Sequence, residues 1–223
     1  MELISTTSVG TGFWLVVAIA CLMGAMSPGP SLAVVVNHSL SRGPIAGIFA
    51  SISHGLGIGL YALITAFGIA EIIQRNSQLY ILVQLIGCIF LIFLAIKLIF
   101  KKKISSSDEL SLPSVSTNLS AARDGFLIAI LNPKILIFFT ALFSQFVGTE
   151  SSYIEKLYLV LIAGGIDAFW YILVAITISR AVTFSRVTNI STWLDKLFGL
   201  FLISIAILFI VQLVSNLSLT LMN

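Results

Sequence analysis

Apolar residues fall into six long runs separated by short polar turns and one longer polar stretch. A helix needs about 20 such residues to cross a ~30 Å hydrocarbon core at ~1.5 Å per residue. The runs predict helices over residues 13–40, 44–73, 79–100, 121–147, 153–179 and 193–214. Two of the six are interrupted. Ser27-Pro28-Gly29-Pro30 breaks the first run and Asn132-Pro133-Lys134 breaks the fourth. Proline lacks an N–H and clashes with the carbonyl one turn back, so each break frees backbone groups that lipid cannot satisfy. Irregular backbone at that depth has to be shielded by protein or line a cavity, and a matched pair of broken helices is the pattern of a transporter.

The second run carries Gly43, Gly47, Ser51, Gly55 and Gly59 at four-residue spacing. Such a stripe of small residues lets another helix approach closely, which predicts that this helix is the packing centre. Gly43-Pro44 places a proline at its start, where the missing N–H costs nothing. The Ser-rich stretch over 104–120 divides the chain and reads as a flexible surface loop. A single transporter domain is expected, with a first three-helix half over 1–103 and a second over 121–223. The fold class is therefore an all-α membrane protein of six transmembrane helices with helices one and four broken. Because each half has an odd number of spans, the expected three-plus-three repeat is inverted across the membrane.

Composition agrees. Of the 223 residues, 58% are hydrophobic and 9% charged, and mean hydropathy is +1.10, against roughly a quarter charged in soluble domains. Six spans leave room for no sizeable soluble domain, so any machinery lies in the bundle. The net charge of +3 reports orientation more than partners, and no nucleic-acid partner is expected. Glu2 without a Lys or Arg before the first run suits a retained helix better than a signal peptide. Arg42, Lys97, Lys101, Lys102, Lys103, Arg123, Arg180, Arg186 and Lys196 flank the turns after helices one, three and five, whereas the other turns hold Arg75 and Lys156. The first set is expected in the cytoplasm and both termini outside.

With that orientation, Pro28 and Pro133 fall roughly 8–12 Å from the inner boundary, Asp167 comes ~15–20 Å from the outer one and His54 ~15 Å from the inner. Four polar features thus converge near the midplane. An ionisable group there costs at least ~2.5–3.5 kcal/mol on insertion scales, which makes Asp167 the leading functional candidate. Lys134 either snorkels to the inner surface or meets a substrate carboxylate. Asn132 is expected to satisfy freed backbone groups, His54 to be packed and hydrogen-bonded or functional, and His38 to lie at the interface. Cys21 and Cys88 form no C-x-x-C pair and read as packing residues. Ser53 and His54 point about 100° apart on a helix and make no catalytic dyad. No H-E-x-x-H or comparable cluster suggests a metal, so neither enzyme activity nor a cofactor is expected.

Ser27-Pro28-Gly29-Pro30, Arg42-Gly43-Pro44-x-x-Gly47, Leu131-Asn132-Pro133-Lys134, Phe138-Phe139, Gln145-Phe146-Val147, Asp167 and Trp193-Leu194-Asp195-Lys196-x-x-Gly199 together resemble the LysE/RhtB superfamily of amino-acid exporters. The resemblance spans essentially the whole chain, and His54 is not part of its pattern. It implies a multi-pass protein of the bacterial inner membrane that exports amino acids or close derivatives in exchange for protons. An exporter of cations or other small solutes, or a non-transporting structural membrane protein, is the alternative, and homo-oligomerisation is left open. The substrate-binding or coupling set is then Pro28, Gly29, Pro30, Ser31, His54, Asn132, Pro133, Lys134 and Asp167. In this reading the half-helix beginning at Pro30-Ser31 offers N–H groups and a positive dipole end to a carboxylate, and Asp167 offers the opposite charge.

Overall fold

A computed structural model of the protein describes residues 10–27, 29–100, 117–147, 151–178 and 184–222. Pro28, both chain ends and residues 101–116, which include most of the expected central loop, lie outside this description. Among the described residues every regular element is an α-helix. The first broken span is α1 (Thr11–Met26) and α2 (Pro30–Arg42), bent by 63°, and the second is α5 (Asn118–Leu131) and α6 (Pro133–Phe146), bent by 58°. The unbroken helices are α3 (Pro44–Arg75), α4 (Ser77–Ile99), α7 (Tyr153–Ile178) and α8 (Phe184–Met222). Each unbroken helix contains a stretch long and apolar enough to cross a membrane, and with each bent pair taken as one span the protein has six.

Local chemistry fixes the boundaries. Gly43 adopts φ +87° between α2 and α3, a conformation that L side chains rarely take, so it works as a turn residue and not as part of the small-residue face. Asn76 caps α4 by accepting from the Leu79 N–H at 3.0 Å. The fourth span begins three residues earlier than the apolar pattern suggests, at Asn118 instead of 121. The cause is a capping box in which Thr117 Oγ1 accepts from Ser120 N and Ser120 Oγ accepts from Thr117 N. Likewise α8 extends well beyond the apolar stretch Trp193–Ser215 in both directions.

α3 is the centre of the bundle, contacting α2, α4, α5, α6 and α7. It packs most extensively on α7, where a Cβ on Gly55 would stand 2.6 Å from Ala168 Cβ and 2.7 Å from the Gly164 carbonyl oxygen. On another side α5 presses in, with Gly125 against the backbone of Ala50 and Ala129 against Gly57. Small residues thus remove the side-chain layer that usually separates helices. The stripe is not uniform, since at Gly59 a Cβ would find only Val160 Cγ1, at 3.9 Å.

The two halves interlock. α3 packs on α7 and α4 on α8, while α1 and α2 lie along α7 and α5 and α6 lie along α3. Each broken span is therefore braced by the middle helix of the opposite half. Outward faces are apolar, with Leu56, Ile89 and Leu208 each more than half exposed, as a lipid-facing surface requires.

Candidate functional site

Where the two breaks face each other, the helices enclose a cavity with about 530 Å³ of empty space, counting its open mouth. Gly29, Ser31, His54, Asn132, Lys134 and Asp167 all line it, so most of the residues expected to form a site are brought together. Pro30 is exposed at the first position of α2 and Pro133 opens α6. Pro30 stands outside the lining, and Pro28 is outside the described residues. A proline at a helix start fixes φ and so sets where the helix begins without itself facing what the helix end faces.

The two half-helix N-termini differ in a way that matters chemically. At α6 the freed backbone groups have protein partners: Asn132 Oδ1 accepts from the Lys134 N–H at 3.1 Å, and the Tyr61 hydroxyl donates to the Ile130 carbonyl. Asn132 thus satisfies backbone, as expected, and its amide nitrogen makes only a long contact of 3.5 Å with Ser31 Oγ. At α2 the N-cap is Gly29, with no side chain to cap the first turn. The N–H groups and the positive dipole end of α2 are left for something that is not its own cap.

Lys134 does not snorkel away. Its Nζ donates to Ser27 Oγ at 2.7 Å, and Ser27 Oγ donates to Asp195 Oδ1 at 3.0 Å. Ser27 and Asp195 are both buried. One hydroxyl at the end of α1 therefore joins the cation of the second break to a carboxylate on α8. Buried charges persist when each is paired and hydrogen-bonded, and this chain meets that condition.

On α3 and α7, His54 Nδ1 and Asp167 Oδ2 are 2.6 Å apart, with side chains 1% and 8% exposed. Tyr171 stands one turn from Asp167 and sets its ring edge-on to His54, with centroids 4.9 Å apart. The imidazole is thereby fixed by a carboxylate on one atom and by an aromatic wall beside it. His38 is buried: its Nε2 lies 3.3 Å from Asp124 Oδ2, so it ties α2 to α5.

Phe138, Phe139, Phe198 and Ile58 supply an apolar wall, and Cys21 lines the cavity as a free, buried thiol. Tyr171 and Asp195 are site neighbours that the pattern of the chain did not single out for chemistry. For Tyr171 the signal was present, because residues four apart on a helix share a face. For Asp195 it was not, since its partner is 168 residues away.

The model of one family, described as the LysE type translocator, matches residues 22–213 of the chain, which covers both breaks and every charged residue of the cavity. The chain belongs to that family. The translocator is 28% identical over 193 residues to a membrane protein of Vibrio cholerae, spanning 83% of this chain and 90% of that one. It is 23% identical to the membrane protein YrhP of Bacillus subtilis, over 86% and 94% of the two chains. A protein of Salmonella typhimurium named leucine efflux protein is 23% identical over 120 residues, 54% of this chain and 56% of its own. No solved structure matches the chain.

Proposed function

We propose that this translocator exports amino acids from the cytoplasm by proton antiport, with neutral amino acids of apolar side chain as its substrates. One observation carries the reading: Asp167 with His54, Lys134 and the apolar side chains of Ile58, Phe138 and Phe139 line one cavity at the helix breaks. The Asp167–His54 pair is matched to a substrate ammonium, and Lys134 with the uncapped start of α2 to its carboxylate. Phe138, Phe139 and Ile58 suit a hydrocarbon side chain. The printed name of the Salmonella relative supports the same substrate class. The Asp167–His54 pair is where proton entry would be coupled to substrate exit.

The test is a solute screen in inside-out membrane vesicles with an acid interior. Uptake of leucine, isoleucine and valine that a protonophore collapses is the expected result; failure to take up any amino acid would remove the proposal. Gly29→Leu gives a local check. A Cβ there would meet nothing within 4 Å and the backbone is extended, so the side chain enters the cavity without strain. The variant should insert and fold normally while uptake falls about tenfold or more, the scale of effect expected when a substrate is displaced from its productive position. Normal uptake by a normally inserted Gly29→Leu protein would place the substrate path elsewhere.

We also propose residence in the bacterial inner membrane with both termini outside, as the basic-residue asymmetry implies. Leu119 and Tyr153, 79% and 78% exposed, open the fourth and fifth spans on opposite sides. In a background lacking Cys21 and Cys88, an impermeant thiol reagent applied to intact cells should label Tyr153→Cys and spare Leu119→Cys. The reverse pattern would invert the orientation.

A further inference from the structure

We propose that the proton and the substrate ammonium compete for one atom, Nε2 of His54, and that Asp167 acts through His54 as a positioning residue. This rests on the reading of the protein as an amino-acid/proton antiporter and assigns the exchange to a single lone pair. Among the described residues, His54 Nε2 is a buried nitrogen with no hydrogen-bond partner. His54 is part of the cavity lining, and its other ring nitrogen, Nδ1, is committed to Asp167 at 2.6 Å. A buried polar atom left without a partner is costly, and at a cavity wall it points to a ligand that supplies one.

The chemistry follows from the two ring nitrogens. With Asp167 ionised, the shared hydrogen sits on Nδ1, and Nε2 carries a lone pair that accepts a hydrogen bond from an ammonium. The pair then has charge −1, which balances the substrate's +1. When a proton from the outer side binds Nε2, the lone pair is consumed, the atom becomes a donor and the pair becomes neutral. An ammonium loses both its acceptor and its counter-charge and leaves. Loss of that proton to the cytoplasmic side restores the acceptor. No bond other than N–H forms or breaks, and one proton moves for each ammonium.

The other groups around the imidazole are consistent with this exchange. Cys21 of α1, Ser31 of α2 and Tyr171 of α7 are neutral members of the same lining, and so is Asn132 between α5 and α6. Lys134, also in the cavity lining, is joined through Ser27 to Asp195 of α8 and makes no hydrogen bond to the imidazole. Asp167 is then the carboxylate in hydrogen-bond contact with His54, and the tautomer it imposes decides what Nε2 can do.

The proposal is tested with leucine titrated calorimetrically into the purified protein, in two buffers of equal pH and different ionisation enthalpy, at steps between about pH 5 and pH 8. The expected result is release approaching one proton per leucine on the acid side, fading to none on the alkaline side. Apparent affinity should fall by up to about tenfold per pH unit over the same acid range, as reciprocal linkage requires. 4-Methylpentanoate, which keeps the carboxylate and carbon chain but lacks the ammonium, should release none. His54→Gln can still donate to Asp167 but cannot titrate, and should bind leucine without proton release at any pH. Leucine binding to the wild-type protein without proton release overturns the competition and leaves the transporter reading intact. Equal release by leucine and 4-methylpentanoate does the same, and this wild-type comparison decides the matter even if His54→Gln does not fold. Absence of binding by leucine and every other neutral amino acid overturns the transport reading, and this proposal with it.

Discussion

Gradient-driven uptake by Asp167→Asn vesicles is expected to fall by roughly 30-fold or more, the effect of losing one charged member of a buried hydrogen-bonded pair. Asparagine keeps the volume and can accept from His54 Nδ1, so the packing of α3 on α7 survives and the protein reaches the membrane in normal amounts. What disappears is the negative charge beside the imidazole. The imidazole then has no counter-charge for the proton that drives export, and the charge balance of the exchange is lost. Leucine exchange at equal pH on the two sides needs no net proton movement and should persist at a reduced rate. Asp167→Glu retains the charge and has to fit one more methylene against a 2.6 Å contact, and partial gradient-driven transport is expected. Initial rates of uptake and of counterflow, normalised to the amount of protein, separate these outcomes. Full gradient-driven transport by the Asn protein would leave Asp167 a structural hydrogen-bonding residue.

The largest expected effect on stability is at Gly125. A Cβ at this position would overlap the Ala50 carbonyl oxygen and stand 2.8 Å from the carbonyl carbon, and backbone cannot move aside as a side chain does. Gly125→Ala must therefore push α5 off α3 and with it the second broken span. Overpacking of this kind costs about 1–3 kcal/mol. Gly59→Ala is the matched control, because its Cβ meets only Val160 Cγ1, at 3.9 Å, and the exchange gains helix propensity. Thermal unfolding of the purified proteins should show a clear loss of stability for Gly125→Ala and none for Gly59→Ala. Equal stability of both would mean that α3 and α5 do not approach at Gly125.

That contrast between glycines of the same bundle marks the boundary of what the chain's pattern reveals. The membrane class, the six spans and the two breaks were legible in the sequence, because the length of an apolar run and the missing N–H of proline are local properties. The place of α3 at the centre was legible too, since Gly47, Ser51 and Gly55 repeat at the helical spacing. The candidate site was visible as a depth: Asp167, His54 and the breaks fall at similar heights when counted along their helices.

Pairing was decided by tertiary structure. Asp167 meets His54 across 113 residues and Ser27 meets Asp195 across 168. Ser31 lines the cavity while Pro30 beside it is exposed. Whether a helix N-terminus is capped by its own residue, as at Asn132, could be guessed from residue type; that Tyr61 would close the remaining carbonyl at Ile130 could not. The reason is geometric. Consecutive residues of a helix point about 100° apart, so a small rotation of one helix about its axis exchanges the residues facing a partner. That rotation is set by how all the neighbouring surfaces interlock.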